Sequence, residues 1–173
     1  MPIRWMGAVG ITPDWQVLAQ IEVEENCDYV DFTGLDINRD WEYYLDVTIK
    51  NAASSPSHYY LFVQEDYTLT NYYNQFIHGR GTTVVVRRDN DPTVSFISPG
   101  IEAAFNIKIT KGLNGHFMYN IIENHIPGSD QRLEIRAGSK TAPVSNITSI
   151  RIAADVSGGI GAGSKFILAR PRS

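Results

Sequence analysis

The chain has 173 residues and a formal net charge of −4, a length suited to one domain with a sizeable core and a balance with no electrostatic footprint for phosphate backbones. Its one local basic pair, Arg87-Arg88, is followed at once by Asp89 and Asp91, so nucleic acid is not an expected partner. A single cysteine, Cys27, excludes an intrachain disulfide framework and a multi-cysteine zinc site, and reads as a buried, inert thiol.

In chain order, residues 1–14 come first. Ile3, Trp5, Met6 and Val9 are apolar, but two glycines and a proline interrupt any regular pattern, so this segment is expected to form an extended arm. It lacks the apolar core of about 7 to 15 residues and the small-residue cleavage site of a secretion signal. No run anywhere approaches the roughly 18 apolar residues of a membrane span. The expectation is a soluble chain made in a cytoplasm, with no membrane partner.

Residues 15–173 read as one β domain. Trp15, Val17, Ala19, Ile21 and Val23 alternate with more polar neighbours, and Tyr43, Leu45, Val47 and Ile49 alternate with Glu42, Asp46 and Thr48. Such period-2 patterns belong to strands that bury one face. Residues 59–64, 82–87, 101–110 and 117–122 follow the same rule, with Ala103, Phe105, Ile107 and Ile109 in phase. Residues 66–76 admit a turn or two of helix, since Tyr67, Leu69, Tyr72, Tyr73 and Phe76 fit one helical face, but they fit a strand or loop as well. Residues 146–154 and 163–168 flank a glycine-dense loop, Gly158-Gly-Ile-Gly-Ala-Gly163, and predict a closing β-hairpin. Turn-formers such as Asp89-Asn-Asp-Pro92, Ser98-Pro-Gly100 and Gly112-Leu-Asn-Gly115 separate the runs. About ten strands without intervening helical patterns predict an all-β, antiparallel jelly roll or β-sandwich carrying an N-terminal extended arm.

The search for chemistry finds scaffold residues. His58, His78, His116 and His125 are scattered, with none of the His-x-His spacing of cupin-type metalloenzymes. Glu123 and His125 would share a strand face and His116 could join them, yet a solvated strand end explains all three as well. Asp36, Asp40, Asp89 and Asp91 sit near turns, where carboxylates bond backbone amides. Gly-x-Ser-x-Gly is absent, Ser164 reads as a turn residue entering the last strand, and Ser164-Lys165 reverses the order a phosphate loop requires. Asn146-Ile-Thr148 matches a glycosylation triplet without any accompanying mark of secretion. No catalytic, metal or cofactor residue is therefore assigned, and an enzyme is not expected. Tyrosine pairs at 43–44, 59–60 and 72–73 each point one ring inward and one outward if on strands, leaving aromatic surface for sugars or protein interfaces.

The segments 15–23, 29–36 and 43–51, with the ending Asn146-Ile-Thr-Ser-Ile-Arg-Ile, a glycine turn and Gly163-Ser-Lys-Phe-Ile-Leu168, resemble a β-rich domain of tailed-bacteriophage virion proteins. One departure is the ending Ala169-Arg-Pro-Arg-Ser, which stands where an aromatic is usual. The resemblance implies a virion structural protein, commonly a jelly roll and often a homotrimer. With little beyond one such domain and an arm, the expected role is a capsid decoration or cement protein that binds the major capsid protein on the outer head shell after synthesis in the host cytoplasm. Ile3, Trp5 and Met6 are the expected arm contacts. The alternative is a receptor- or glycan-binding module of a tail or head fibre, presenting Tyr72 and Tyr73 beside Asn74 and Gln75.

Overall fold

The computed structural model describes residues 14–80, 82–125 and 132–172. Twelve strands follow in order: β1 (Trp15–Glu22), β2 (Tyr29–Thr33), β3 (Glu42–Lys50), β4 (Ser57–Val63), β5 (Tyr72–Arg80), β6 (Thr83–Asp89), β7 (Thr93–Ile97), β8 (Glu102–Lys111), β9 (Phe117–His125), β10 (Arg132–Lys140), β11 (Ser149–Ala154) and β12 (Lys165–Pro171). An eight-stranded sheet has the order β1-β12-β3-β8-β9-β10-β5-β6, and a four-stranded sheet the order β2-β11-β4-β7. All the pairings are antiparallel. The two sheets form a β-sandwich.

Its topology is that of a jelly roll. The pairs β1/β12, β2/β11, β3/β8 and β4/β7 are the rungs of one antiparallel ribbon, and successive rungs fall alternately in the large and the small sheet. Two hairpins interrupt this ribbon: β5/β6 enters between β4 and β7, and β9/β10 between β8 and β11. Both join the free side of β8, so half of the large sheet is extension.

Alternation fixes the core. Tyr43, Leu45, Val47 and Ile49 of β3 and Ala103, Phe105, Ile107 and Ile109 of β8 turn inward in matched register, facing Leu61 and Val63 of β4 and Ile150 and Ile152 of β11 across the sandwich. Each large apolar side chain buried this way contributes about 1.5–3 kcal/mol. Two of the inner tyrosines keep their hydroxyls bonded: Tyr43 donates to Asp40 Oδ2 at 2.8 Å, and Tyr59 to the Gly159 carbonyl at 2.8 Å.

Two expectations are corrected, that of a closing hairpin and that of a buried Cys27. The closing segments do not form a hairpin, because β11 lies in the small sheet and β12 in the large one. The glycine loop crosses between them, and it is pinned on the way: Ile160 exchanges backbone bonds with Cys27 at 2.9 and 3.0 Å, and Gly161 N donates to the Lys50 carbonyl at 2.9 Å. A Cβ on Gly159 would stand 2.6 Å from that of Ala154 and one on Gly161 2.9 Å from that of Ala52, so these two serve close approach, while Gly158 and Gly163 supply positive φ at the turns. Residues 66–76 hold a single 3-10 turn, Leu69–Asn71, before β5 begins. The one α-helix among the described residues is Ile37–Asp40, capped by Asp36 Oδ1, which accepts from Asn38 N at 3.2 Å. Cys27, expected buried, is half-buried, and that burial pushes its thiol above the usual range.

Candidate functional site

β10 carries its side chains inside out, with Glu134 and Arg136 inward and Leu133 and Ile135 outward. On the inner face of β9, β10 and β5 sit Glu123, Glu134, Arg136 and Asn74, all buried. Glu123 and Glu134 are direct cross-strand partners. The reason lies in what the extension covers. It reaches past the small sheet and meets its edge strand β7, whose outer side offers unpaired backbone groups instead of an apolar face. Asn74 Nδ2 accordingly donates to the Thr93 carbonyl at 3.0 Å, and Ser95 Oγ to Glu123 Oε1 at 2.7 Å.

Two arginines complete this polar seam. Arg132 and Arg136 both pair with Glu134, and the Arg136 guanidinium lies 4.3 Å from the centre of the Phe76 ring. Burial pushes the Glu134 carboxyl above its ordinary value against the pull of Arg136, and lowers Arg136. Glu123 and Glu134 stand side by side on neighbouring strands, and both arginines are turned to Glu134. With both carboxylates fully buried, the pair does not present itself to a substrate as a glycosidase dyad would.

At the mouth of the seam a cleft of about 300 Å3 is lined by Phe76, His78, Arg87, Asp89, Arg132 and Arg136 among others. Its charged groups are mostly spent on one another. Arg87 Nε donates to Asp89 Oδ1 at 2.7 Å, and Asp91 Oδ1 accepts from Thr93 N at 2.9 Å and Thr93 Oγ1 at 2.6 Å. Rings flank it, with Phe76 stacked on His78 at 5.6 Å and Phe96 against His58 at 4.6 Å. Among the described residues no group of three or more His, Cys, Asp or Glu is placed to hold a metal. His116, expected as a third ligand beside Glu123 and His125, precedes β9 and lies about 20 Å from Glu123 along the strand, and its ring bonds the Lys140 carbonyl at 3.1 Å.

The arm residues Ile3, Trp5 and Met6 lie outside the described residues. The stretch 72–75 is split between two faces. Tyr72 is fully buried, its hydroxyl donating to the Asp66 carbonyl at 2.8 Å and accepting from Val63 N at 3.2 Å, and burial pushes it up to about 12. It is therefore a core residue and not a binding platform. Tyr73 faces outward at 38% exposure, with the Arg88 guanidinium 4.8 Å from its ring centre, over a shallow hollow of about 440 Å3.

What the sequence reading missed is the outer face of the extension. Ile122, Ile135, Ile77 and Val86 form one straight row across β9, β10, β5 and β6. Leu133 and Val84 lie in the next row along, and all six are between 51% and 72% exposed. Followed onto β8 and β3, the same row continues as Asn106 and Asp46, which bond each other at 2.8 Å. One sheet face is thus polar over the jelly roll and apolar over the extension.

Neither a known family model nor a curated protein matches the sequence. A solved structure of scytalido-glutamic peptidase with a peptide-based transition-state analogue aligns over 94% of this chain and 66% of that one, short of two thirds, at 10% identity and a TM-score of 0.21. That likeness is too low to carry fold or activity across.

Proposed function

We propose that this chain is a structural protein of a tailed-bacteriophage virion, a decoration protein seated on the outer head shell, with the major capsid protein and further copies of itself as partners. The observation that supports this reading best is the apolar outer face of the extension: side chains of this kind at half exposure or more, in contiguous rows, suit a surface built to be covered in an assembly. A jelly roll whose buried Asp40 and Glu134 are held in ion pairs with arginines fits a scaffold better than a catalyst. In this reading the segment 1–14 reaches onto the capsid protein, using Ile3, Trp5 and Met6, while the β-sandwich stands above the shell.

The test is sedimentation of the purified chain with undecorated heads. Co-sedimentation, and density for this chain over the shell, is the expected result, and removal of residues 1–10 abolishes attachment without unfolding the domain. Failure of the full chain to bind heads overturns the decoration role.

A second reading, a glycan-binding module of a fibre, is favoured by the cleft, where rings adjoin arginine and aspartate side chains in the manner of a sugar site. Binding of the isolated chain to glycans or host cells, with none to heads, reverses the order of the two.

A further inference from the structure

The geometry points to an anchor for a protein partner: we propose that the Trp41 side chain inserts into an apolar pocket with an acidic rim on the protein that this chain assembles with. This rests on the decoration reading, in which that protein is the major capsid protein, and deepens it by naming where the β-sandwich itself makes contact.

Trp41 is unfavourable to an isolated chain in two ways. Its backbone, at φ 68° and ψ −45°, takes a positive-φ conformation that is rare and strained for a bulky residue. The position directly follows the short helix Ile37–Asp40, where glycine is the residue of choice. Its ring, at 80% exposure, lies almost wholly in water, whereas tryptophan is on average a well-buried residue. Trp15, by contrast, rests on Tyr44 with ring centres 5.5 Å apart. A strained backbone and an uncovered indole at one position are explained together when the ring is covered in an assembly.

The base of the indole is rigid. Trp41 N donates to the Ile37 carbonyl at 2.9 Å, and the preceding Asp40 carboxylate is buried, held by Arg39, Arg170 and the Tyr43 hydroxyl. A side chain presented from a fixed backbone loses little freedom on binding, which suits the aromatic anchors that carry most of the energy of an interface.

The degree of exposure selects the class of partner. A ring that serves as a platform for a sugar lies flat on the protein, with one face covered and the other open. Trp41 stands clear by far more than one face, so it is a knob that calls for a socket, and a folded protein surface supplies one.

Charge sets the rim of that socket. Beside the ring is a hollow of about 250 Å3, lined by Arg39, Arg170, Pro171 and Arg172 among others. The Arg39 and Arg172 side chains are more than half exposed, whereas the acids of the same hollow are withdrawn: Asp40 is buried, and Glu42 is mostly covered and paired with Lys108 at 2.7 Å. Asp14 does hold Arg172, at 2.8 Å, but both groups are exposed and such a pair is weak. The surface next to the indole is therefore positive, and its complement is a pocket edged by carboxylates. The place agrees with the reading above. Arg172 N donates to the Asp14 carbonyl at 2.7 Å, so Asp14, to which residues 1–13 are joined, lies beside this hollow.

The experiment measures binding of the full chain to undecorated heads by co-sedimentation, beside urea denaturation of the same proteins. Trp41→Gly is expected to unfold at a urea concentration at or above that of the native chain, because glycine takes a positive φ without strain. It is expected to bind heads about 30-fold more weakly, the loss that comes from truncating such an anchor. Trp41→Phe loses less, and Arg172→Gln weakens attachment and flattens its dependence on salt. Hydroxyl-radical footprinting reads the ring directly, with Trp41 oxidised in the free chain and protected on heads. A lower urea midpoint for Trp41→Gly overturns the proposal, because the indole would then be part of the fold. Head binding by Trp41→Gly equal to that of the native chain, or a Trp41 that stays open to oxidation on heads, also overturns it, and in both cases the decoration reading stands. A native chain that binds no heads overturns the decoration reading and this contact with it.

Discussion

The Tyr119 ring occupies the space above Gly138 that any other side chain would fill: a Cβ built there stands 2.1 Å from the tyrosine ζ carbon. The two residues are cross-strand partners on β9 and β10, so the glycine is required by a neighbour and not by its own backbone. Gly138→Ala is expected to destabilise the fold by about 1–3 kcal/mol through overpacking, and the same change in a Tyr119→Ala background to cost much less, since the clash is then gone. Urea denaturation of the four proteins of this cycle checks it; additive effects would sink the explanation. Asp66 supplies a pH-dependent counterpart. Burial alone would raise its carboxyl, but hydrogen bonds from Lys140 and Asn71 outweigh that and hold it at about 2, below the ordinary 3.8. The folded state therefore binds this proton more weakly than the unfolded chain does. The contribution is complete above about pH 4 and is lost as pH falls through about 2. Asp66→Asn is expected to flatten the acid limb of a stability profile in that window and to leave the slope above pH 5 unchanged.

At the scale of elements, alternation marked β1, β3, β8 and β9 as strands but passed over β7 and β10, and it did not tell which face of a strand is covered. In β10, Leu133 and Ile135 alternate with Glu134 and Arg136, and a pattern argument turns the apolar pair inward. The reverse holds, because this strand covers the polar edge of β7 rather than an apolar sheet, and sheet adjacency is not a local property of sequence. The same limit explains the closing segments, whose strands are correctly spaced but belong to different sheets. Tyrosine pairs were legible where both members lie on one strand: Tyr43, Tyr59 and Tyr72 are buried while Tyr44, Tyr60 and Tyr73 are not. That rule also shows why Tyr72 and Tyr73 could not both be platforms. The apolar face was illegible because it is assembled from Ile77, Val86, Ile122 and Ile135, which no short window contains. The inverted seam makes a sharp prediction. Arg136→Leu removes the more deeply buried of the two arginines paired with Glu134 and is expected to cost about 3–5 kcal/mol, whereas Glu134→Leu with Arg136→Leu recovers most of it by removing both buried charges together. Chemical denaturation of single and double variants decides, and a double variant as unstable as the single would show that the seam acts through packing alone.

For the whole molecule, the jelly roll and its extension are held by different kinds of contact, and this divides stability along the large sheet. β3 and β8 are covered on their inner face by the small sheet and lie in the middle of a continuous ladder. β6 is a terminal strand whose outward side chains Val84 and Val86 have no cover among the described residues. Backbone amides open locally with a free energy that follows such cover, from near zero at frayed edges to the global value in the core. In an isolated subunit the amides of β6, and next those of β5, are expected to exchange by local opening, while those of β3, β8 and β12 exchange only by global unfolding. Assembly through the apolar face reverses this for the extension alone, because it buries β6 without touching β3. Hydrogen exchange on the native chain and on Ile135→Lys therefore separates two sources of protection. Faster exchange confined to β5, β6, β9 and β10 in the variant is expected, with unaltered protection across the jelly-roll strands. Equal exchange in β6 of the two proteins would mean that the edge is stable by its own ladder, and that the apolar face contributes nothing to holding the extension in place.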